Sequence, residues 1–315
     1  MFRNRWSLGE MGIGRYCLAL SIQIPFFFLI LGLIEYDATT RAISRKLLKV
    51  KKLFNRKSIQ KYYSDIPTEP VDDEVDDNDI IDTKSELADK TKLAEIVKTK
   101  PLVLAGLKKD YDQFAAVKGI SFYVEPNECF GLLGPNGAGK TSTFKMITGE
   151  HGISNGSAFI NKFNVTTQHL QSIQQFGYCP QFDALLEQLT GRETLIMFSR
   201  LRGVPGNMID KTVTTIITLL GIEKFADQKI FGYSGGTKRK LSVAIAMVGY
   251  PPVLILDEPS CGLDPGARRQ LWNVIKCVQK AETAILLTSH SMEECAALCD
   301  RLAIMVHGNL KCIGG

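Results

Sequence analysis

Phe130-Gly131-Leu132-Leu133-Gly134-Pro135-Asn136-Gly137-Ala138-Gly139-Lys140-Thr141-Ser142-Thr143 runs from an apolar stretch through a glycine-rich turn into a helical pattern. An apolar strand feeding Gly-x4-Gly-Lys-Thr and then a helix is a phosphate-binding loop, or P-loop. The spacing has a physical reason. Backbone N–H groups can close around phosphate oxygens only where little or no Cβ stands in the way. Gly134, Gly137 and Gly139 supply that approach, with Pro135, Asn136 and Ala138 completing the loop. Lys140 can then reach the β and γ phosphates of a nucleoside triphosphate. Thr141 can set its hydroxyl on Mg²⁺, with Ser142 beside it, and the helix start turns its positive dipole end toward the anion. A glycine-rich turn without a ligand is the competing reading, and the match over the whole loop leaves it little room.

Around this loop, 315 residues give room for one large domain plus an appendage, or for two domains, and 45% hydrophobic residues allow a substantial core. The net charge of +5 hides a segregated layout. Arg41 to Lys61 contains bases and no acid, and Asp65 to Asp82 contains acids and no base. The basic block directly follows an apolar segment, which favours a membrane surface over nucleic acid as its partner. Eight cysteines without Cys-x-x-Cys spacing suit free thiols in a reducing compartment.

Cys17 to Ile34 is apolar apart from Ser21, Gln23 and Pro25, and reads as a transmembrane helix over about 14–36. A signal peptide and a buried helix are the alternatives; no small-residue cleavage site follows, and Phe26-Phe27-Phe28 is too continuous for a half-exposed helix. The positive-inside rule places 37–63 in the cytoplasm and leaves 1–13 as a stub outside. Residues 64–98 read as an acidic linker, because Asp65 to Asp89 lacks aromatics and cannot bury enough apolar surface to order itself. A folded α/β domain is expected over 99–315. Leu102–Tyr111, Ile120–Val124 and Cys129–Leu133 read as strands. A mostly helical part follows over about 183–248, and Val253–Leu256 and Ala284–Leu287 read as buried parallel strands. Thr190-Gly-Arg-Glu193 and Ser291-Met-Glu-Glu294 read as capping boxes, and Asp264-Pro265 as an N-cap followed by proline.

A second anchor is Val253-Leu-Ile-Leu-Asp257-Glu258-Pro259, an apolar strand ending in two carboxylates. Asp257 can hold Mg²⁺ through water, and Glu258 is suited to orient an attacking water or accept its proton. The third anchor is Tyr233-Ser234-Gly235-Gly236-Thr237-Lys238 at the start of a helical segment.

With this third stretch the chain resembles the nucleotide-binding domain of ABC transporters, whose Leu-Ser-Gly-Gly-Gln signature opens a helix in the same way. The order of motifs matches over about Leu102 to Gly315: P-loop, Gln181, signature, acidic strand, Gly262-Leu263-Asp264, then His290. Phe176-Gly-Tyr-Cys-Pro-Gln-Phe-Asp, the run 233–242 and Thr288-Ser-His-Ser-Met-Glu-Glu-Cys resemble the second ATPase domain of the A subfamily, with the preceding span as the last helix of its membrane domain. The resemblance implies a RecA-like P-loop core with an antiparallel β subdomain and an α-helical subdomain. It implies ATP and Mg²⁺ as cofactors, and hydrolysis coupled to lipid export. A second ABC domain would meet this one head to tail. Transmembrane domains and membrane lipid would be its other partners, and nucleic acid none. The chain would sit in the membrane with its ATPase domain on the cytoplasmic side.

By the same resemblance, Tyr111 would stack on adenine, with Phe114 as its rival. Gln181 would sense Mg²⁺ and the attacking water, His290 would hold the γ-phosphate and position Glu258, and Ser234, Gly235 and Gly236 would close over a nucleotide held by another domain. Two departures stand out: Thr237 replaces the signature glutamine, and Ser260-Cys261 stands where Thr-Ser or Ser-Thr is usual. A nucleotide-dependent scaffold or regulator that moves nothing is the rival class. One span cannot make a translocation path, so the chain reads as part of a larger transporter.

Three other signals are set aside. Asn161-Lys162-Phe163-Asn164 nearly matches a guanine-reading loop, but Asn164 lacks the carboxylate that would accept guanine's paired hydrogen bonds. Cys295 and Cys299 read as buried thiols rather than metal ligands. Asn155-Gly-Ser and Asn164-Val-Thr match the glycosylation pattern but lie in a domain expected in the cytoplasm.

Overall fold

The computed structural model describes residues 78–111 and 114–315. In chain order these form α1 (Asn78–Ala88), α2 (Lys90–Thr99), β1 (Leu102–Tyr111), β2 (Phe114–Val124), β3 (Cys129–Leu133), α3 (Lys140–Ile147), β4 (Asn155–Ile160), β5 (Phe163–Asn164), α4 (His169–Ile173) and β6 (Phe176–Cys179). After them come α5 (Gly191–Leu201), α6 (Gly206–Leu220), α7 (Gly235–Met247), β7 (Val253–Asp257), α8 (Pro265–Gln279), β8 (Ala284–Ser289), α9 (Met292–Leu298), β9 (Arg301–Val306) and β10 (Asn309–Gly314).

The apolar runs of β3, β7 and β8 are buried at every position, because they lie inside a six-stranded sheet ordered β10-β9-β3-β8-β7-β6. Successive side chains of a strand point to opposite faces. Leu254, Leu256, Ile285 and Leu287 accordingly join the core under the helices, while Val253, Ile255, Ala284 and Leu286 join the core under a second sheet. That second sheet is antiparallel, ordered β2-β1-β4-β5. In the first sheet only the β9–β10 pair is antiparallel. The helical part is α5 to α7. Thr190 opens α5 with a reciprocal capping box, and Gly221 closes α6 in the left-handed conformation.

Three expectations need correction. Residues 78–98, read as the end of a solvated linker, instead fall in α1 and α2. Ile80 is fully buried and Leu87 nearly so, against β1, β2 and β10. The acids lie on the other faces of α1, so a low apolar content is enough once the sheet supplies a partner surface. Ser291 caps α9 from one side only. Its hydroxyl accepts from the Glu294 N–H, but the Glu294 carboxylate accepts from Trp272 Nε1 (3.2 Å) and Ser289 Oγ (2.7 Å) instead of returning to the cap. Cys295 is buried as expected, whereas Cys299 is only half-buried. It lies under Gly131, where a Cβ would come within 2.6 Å of the Cys299 sulfur. The apolar segment 14–36, the basic block and the first part of the acidic linker lie outside the described residues. Among the described residues, no helix is long and apolar enough to cross a membrane.

Candidate active site

β3 delivers the glycine-rich loop to the start of α3, whose N-cap is Gly139 at φ 107°. The three glycines are required for different reasons. A Cβ on Gly134 would come within 2.3 Å of the Met305 carbonyl of β9, and one on Gly139 within 2.6 Å of the Ala116 carbonyl of β2. Gly137 faces open space but holds φ 81°, a conformation that favours glycine. Close approach to phosphate, the reason read from the sequence for all three, therefore adds to packing constraints already present at two of them. Pro135, Asn136 and Gly137 are exposed, Ala138 is buried, and Thr141 and Ser142 follow on the first turn of α3, exposed and half-buried.

Lys140 is 6% exposed and folds back over the loop, donating from Nζ to the carbonyls of Gly134 (2.6 Å) and Pro135 (3.1 Å). Burial pushes its pKa down, and the carboxylates of Glu258 and Asp257 pull it back up. A phosphate at the loop would offer this ammonium a full negative charge in place of two neutral carbonyls.

The carboxylates stand at the end of β7, opposite Thr288 of β8 in the parallel register. Asp257 is 1% exposed. Its Oδ1 accepts from Thr288 Oγ1 at 2.6 Å, while Oδ2 is buried with no hydrogen-bond partner among the described residues. Burial raises its pKa most; the Thr288 hydrogen bond opposes the rise and Glu258 adds to it. A buried carboxylate oxygen left unpaired beside a P-loop suits a hard divalent cation or its bound water. Thr141, Asp257 and Gln181 would supply oxygen donors to such an ion, and the unpaired Asp257 oxygen is the observation that fits Mg²⁺.

Glu258 adopts φ 50°, uncommon for a residue other than glycine, and its N–H donates to the Thr288 carbonyl (3.2 Å) and hydroxyl (3.0 Å). Its Oε2 receives Gln181 Nε2 at 3.4 Å and lies 3.5 Å from His290 Nδ1. Gln181, Glu258 and His290, far apart in the chain, thus converge on one carboxylate.

The adenine candidates are cross-strand partners, Tyr111 on β1 and Phe114 on β2. The Tyr111 hydroxyl bonds His151 Nδ1 at 2.5 Å and Lys109 Nζ lies 4.9 Å from its ring centroid, while Phe114 is 60% exposed. Ser234 is the N-cap of α7. Its Oγ accepts from the Thr237 N–H at 3.2 Å and shares a hydrogen bond with Thr237 Oγ1 at 2.9 Å. Thr237, which replaces the signature glutamine, therefore packs back against the signature serine.

Sequence reasoning missed three polar groups here. Thr288 could have been found only from its register opposite Asp257. His151 lies in a loop far from Tyr111 in sequence, and Arg239 is a charged residue inside a helix, where solvent exposure is the ordinary expectation.

Residues 117–261 match the ABC transporter family. The chain belongs to that family. This ABC chain is 43% identical over 319 residues to the phospholipid-transporting ATPase ABCA3 of Rattus norvegicus, a match that covers 99% of the chain and 18% of that protein. It is 47% identical over 249 residues to the ATP-binding cassette sub-family A member 2 of Rattus norvegicus, covering 79% of the chain and 10% of that protein. The chain thus spans under a fifth of either relative, and its relatives place it in sub-family A. Its fold matches a dimeric, post-hydrolysis ATP-binding cassette MJ0796 bound to ADP and Pi, with a TM-score of 0.63 at 18% identity, covering 68% of this ABC chain and 97% of that one.

Proposed function

We propose that this chain is the ATP-hydrolysing domain of a transporter that moves phospholipid, and that hydrolysis takes place at Glu258. The observation that carries the reading is the convergence of Gln181 and His290 on the Glu258 carboxylate, beside the unpaired Oδ2 of Asp257. Lys140 binds the β and γ phosphates, and Gly134 to Gly139 wrap them with main-chain N–H groups. Thr141, Asp257 and Gln181 hold Mg²⁺, which when bound offsets the charge that builds on the phosphate oxygens. Glu258 orients the attacking water and takes its proton. His290 steadies both that carboxylate and the γ-phosphate, and Tyr111 packs against adenine. Because the transition state is loose, positioning and electrostatics supply most of the acceleration.

Phospholipid as substrate rests on the activity in the name of ABCA3. A second ABC domain, meeting this one head to tail so that Ser234, Gly235 and Gly236 face its nucleotide, and transmembrane domains complete the assembly. The apolar segment 14–36 anchors the chain, with the ATPase domain on the cytoplasmic side. The test is reconstitution of the chain with a companion ABC domain and the transmembrane domains in phospholipid vesicles, reading phosphate release and movement of a fluorescent phospholipid between leaflets. Phosphate release that leaves lipid distribution unchanged would remove the lipid assignment and keep the ATPase. Resistance to alkaline carbonate extraction checks the anchor, since a spanning helix inserts effectively irreversibly and a basic patch does not.

A further inference from the structure

Arg239 projects from the first turns of α7 into the space between the two loops that carry Gln181 and Glu258, and is 3% exposed. Its Nη1 donates to the carbonyls of Pro180 (2.6 Å) and Gln181 (3.3 Å) and to Asp183 Oδ1 (3.1 Å). Nη2 donates to the carbonyls of Asp257 (2.6 Å) and Glu258 (2.9 Å), and Nε to that of Pro259 (3.0 Å). One planar fork therefore grips the main chain on both sides of the contact between Gln181 and Glu258. Among the described residues Asp183 is the one carboxylate in direct ion-pair contact, so the cation is held mostly by neutral carbonyl dipoles.

Burying a cation in this way is no better for stability than an apolar side chain of the same volume, which argues for a use beyond packing. Glu258 sits at φ 50°, and such a backbone persists only where its surroundings fix it. Thr288 fixes the Glu258 amide, and Arg239 fixes the carbonyls of Glu258 and of its two neighbours. The same side chain belongs to the helix that Ser234 caps, so the signature and the hydrolytic carboxylate share one rigid connection.

We propose that Arg239 is a positioning residue whose guanidinium holds the Gln181 loop and the Asp257–Pro259 strand end in register with α7, so that Glu258 and Gln181 meet the attacking water together. The inference rests on reading Gln181 and Glu258 as the hydrolytic groups. A lysine cannot replace the fork, because an ammonium offers no planar set of five N–H donors.

The test uses the full chain with its companion ABC domain in phospholipid vesicles and two variants, Arg239→Gln and Arg239→Lys, the second keeping the charge should the first fail to fold. Nucleotide affinity should stay within about threefold of wild type while kcat falls by about 100-fold in both, the signature of a misplaced reacting group rather than of lost ground-state binding. Because Arg239 acts through Glu258, adding Arg239→Lys to Glu258→Gln should slow turnover no further. Hydrogen exchange should quicken in the segments 180–183 and 257–261 together. Wild-type kcat in Arg239→Lys, additive losses in the double variant, or exchange that quickens in one segment alone would overturn the proposal. If the wild-type chain hydrolyses no ATP, the hydrolytic reading has failed separately and the exchange pattern decides alone: joint loosening supports the grip of Arg239 on both loops, and an unchanged segment refutes it.

Discussion

Glu258 Oε2 and His290 Nδ1 stand 3.5 Å apart, the glutamate 8% exposed and the histidine side chain 61% exposed. The carboxylate is thus sheltered while the imidazole beside it is open to solvent. Lys140, by contrast, folds back over the loop onto the carbonyls of Gly134 and Pro135, and in the mechanism proposed above its charge serves the ground-state phosphates.

This division of labour separates two variants. Lys140→Ala should abolish ATP binding, whereas Glu258→Gln should keep binding and lower turnover by roughly 100-fold or more, since the carboxylate acts only as water attacks. Equilibrium binding of a fluorescent ATP analogue and single-turnover phosphate release distinguish the two. Multiple turnover by Glu258→Gln above the Lys140→Ala background would remove Glu258 from its role.

Asp257 should set a pH-dependent cost. Burial raises its pKa above the usual 3.8, so the folded state holds a proton that the unfolded chain has already released. That stability is present below pH 3.8 and is lost as the pH rises through the elevated folded value. Asp257→Asn removes the titration. In the absence of Mg²⁺ at neutral pH it should melt higher than wild type, by about 2–4 °C for each ~1 kcal/mol relieved, while losing Mg²⁺-dependent hydrolysis. Thermal melts at pH 5 and pH 7 with a chelator present check the sign; an equal or lower melting temperature for the variant refutes it.

The docking of α1 predicts a contrast between neighbours. Ile80 is fully buried and Ile81 is 46% exposed. Ile80→Ala should cost about 2–4 kcal/mol through lost transfer energy and the cavity left behind, and Ile81→Ala within about 0.5 kcal/mol of nothing. Urea denaturation of the two variants measures this, and equal effects would mean that α1 does not share the core.

A shared site between two ABC domains predicts complementation. Ser234 is exposed, and its hydrogen bonds among the described residues run to Thr237 of its own helix. If chains pair symmetrically, Lys140→Ala and Ser234→Arg should each be inactive alone. With random pairing, mixtures should recover roughly a quarter of wild-type activity, because mixed dimers keep one intact site. No recovery, with mixed dimers shown and wild-type homodimers active, would place Ser234 within its own chain's site or outside the chemistry.

The parts of the fold legible in the sequence were those whose signal is local. β3, β7 and β8 announce themselves as continuous apolar runs because the sheet covers both their faces. Glu193 and Thr190 form their box within one turn. β9 and β10 were not visible, since their half-buried pattern depends on β9 pairing with β3 and β10 with β9. α1 was misread because Ile80 and Leu87 are thinly spread among acids and find their burial on strands far away in sequence. At the site, Lys140, Asp257 and Glu258 could be read from motif spacing. Arg239 could not, because five of its six acceptors are main-chain carbonyls, which carry no trace in a sequence of side chains.

Ile80 and Leu87, seated in the β core, also decide where slack lies in the chain. Between Asn78 and Leu102 the polypeptide is two short helices joined directly to β1, with no free strap between them. A tilt of the ATPase domain is therefore passed back along the chain to residue 78 as a displacement of nearly the same size.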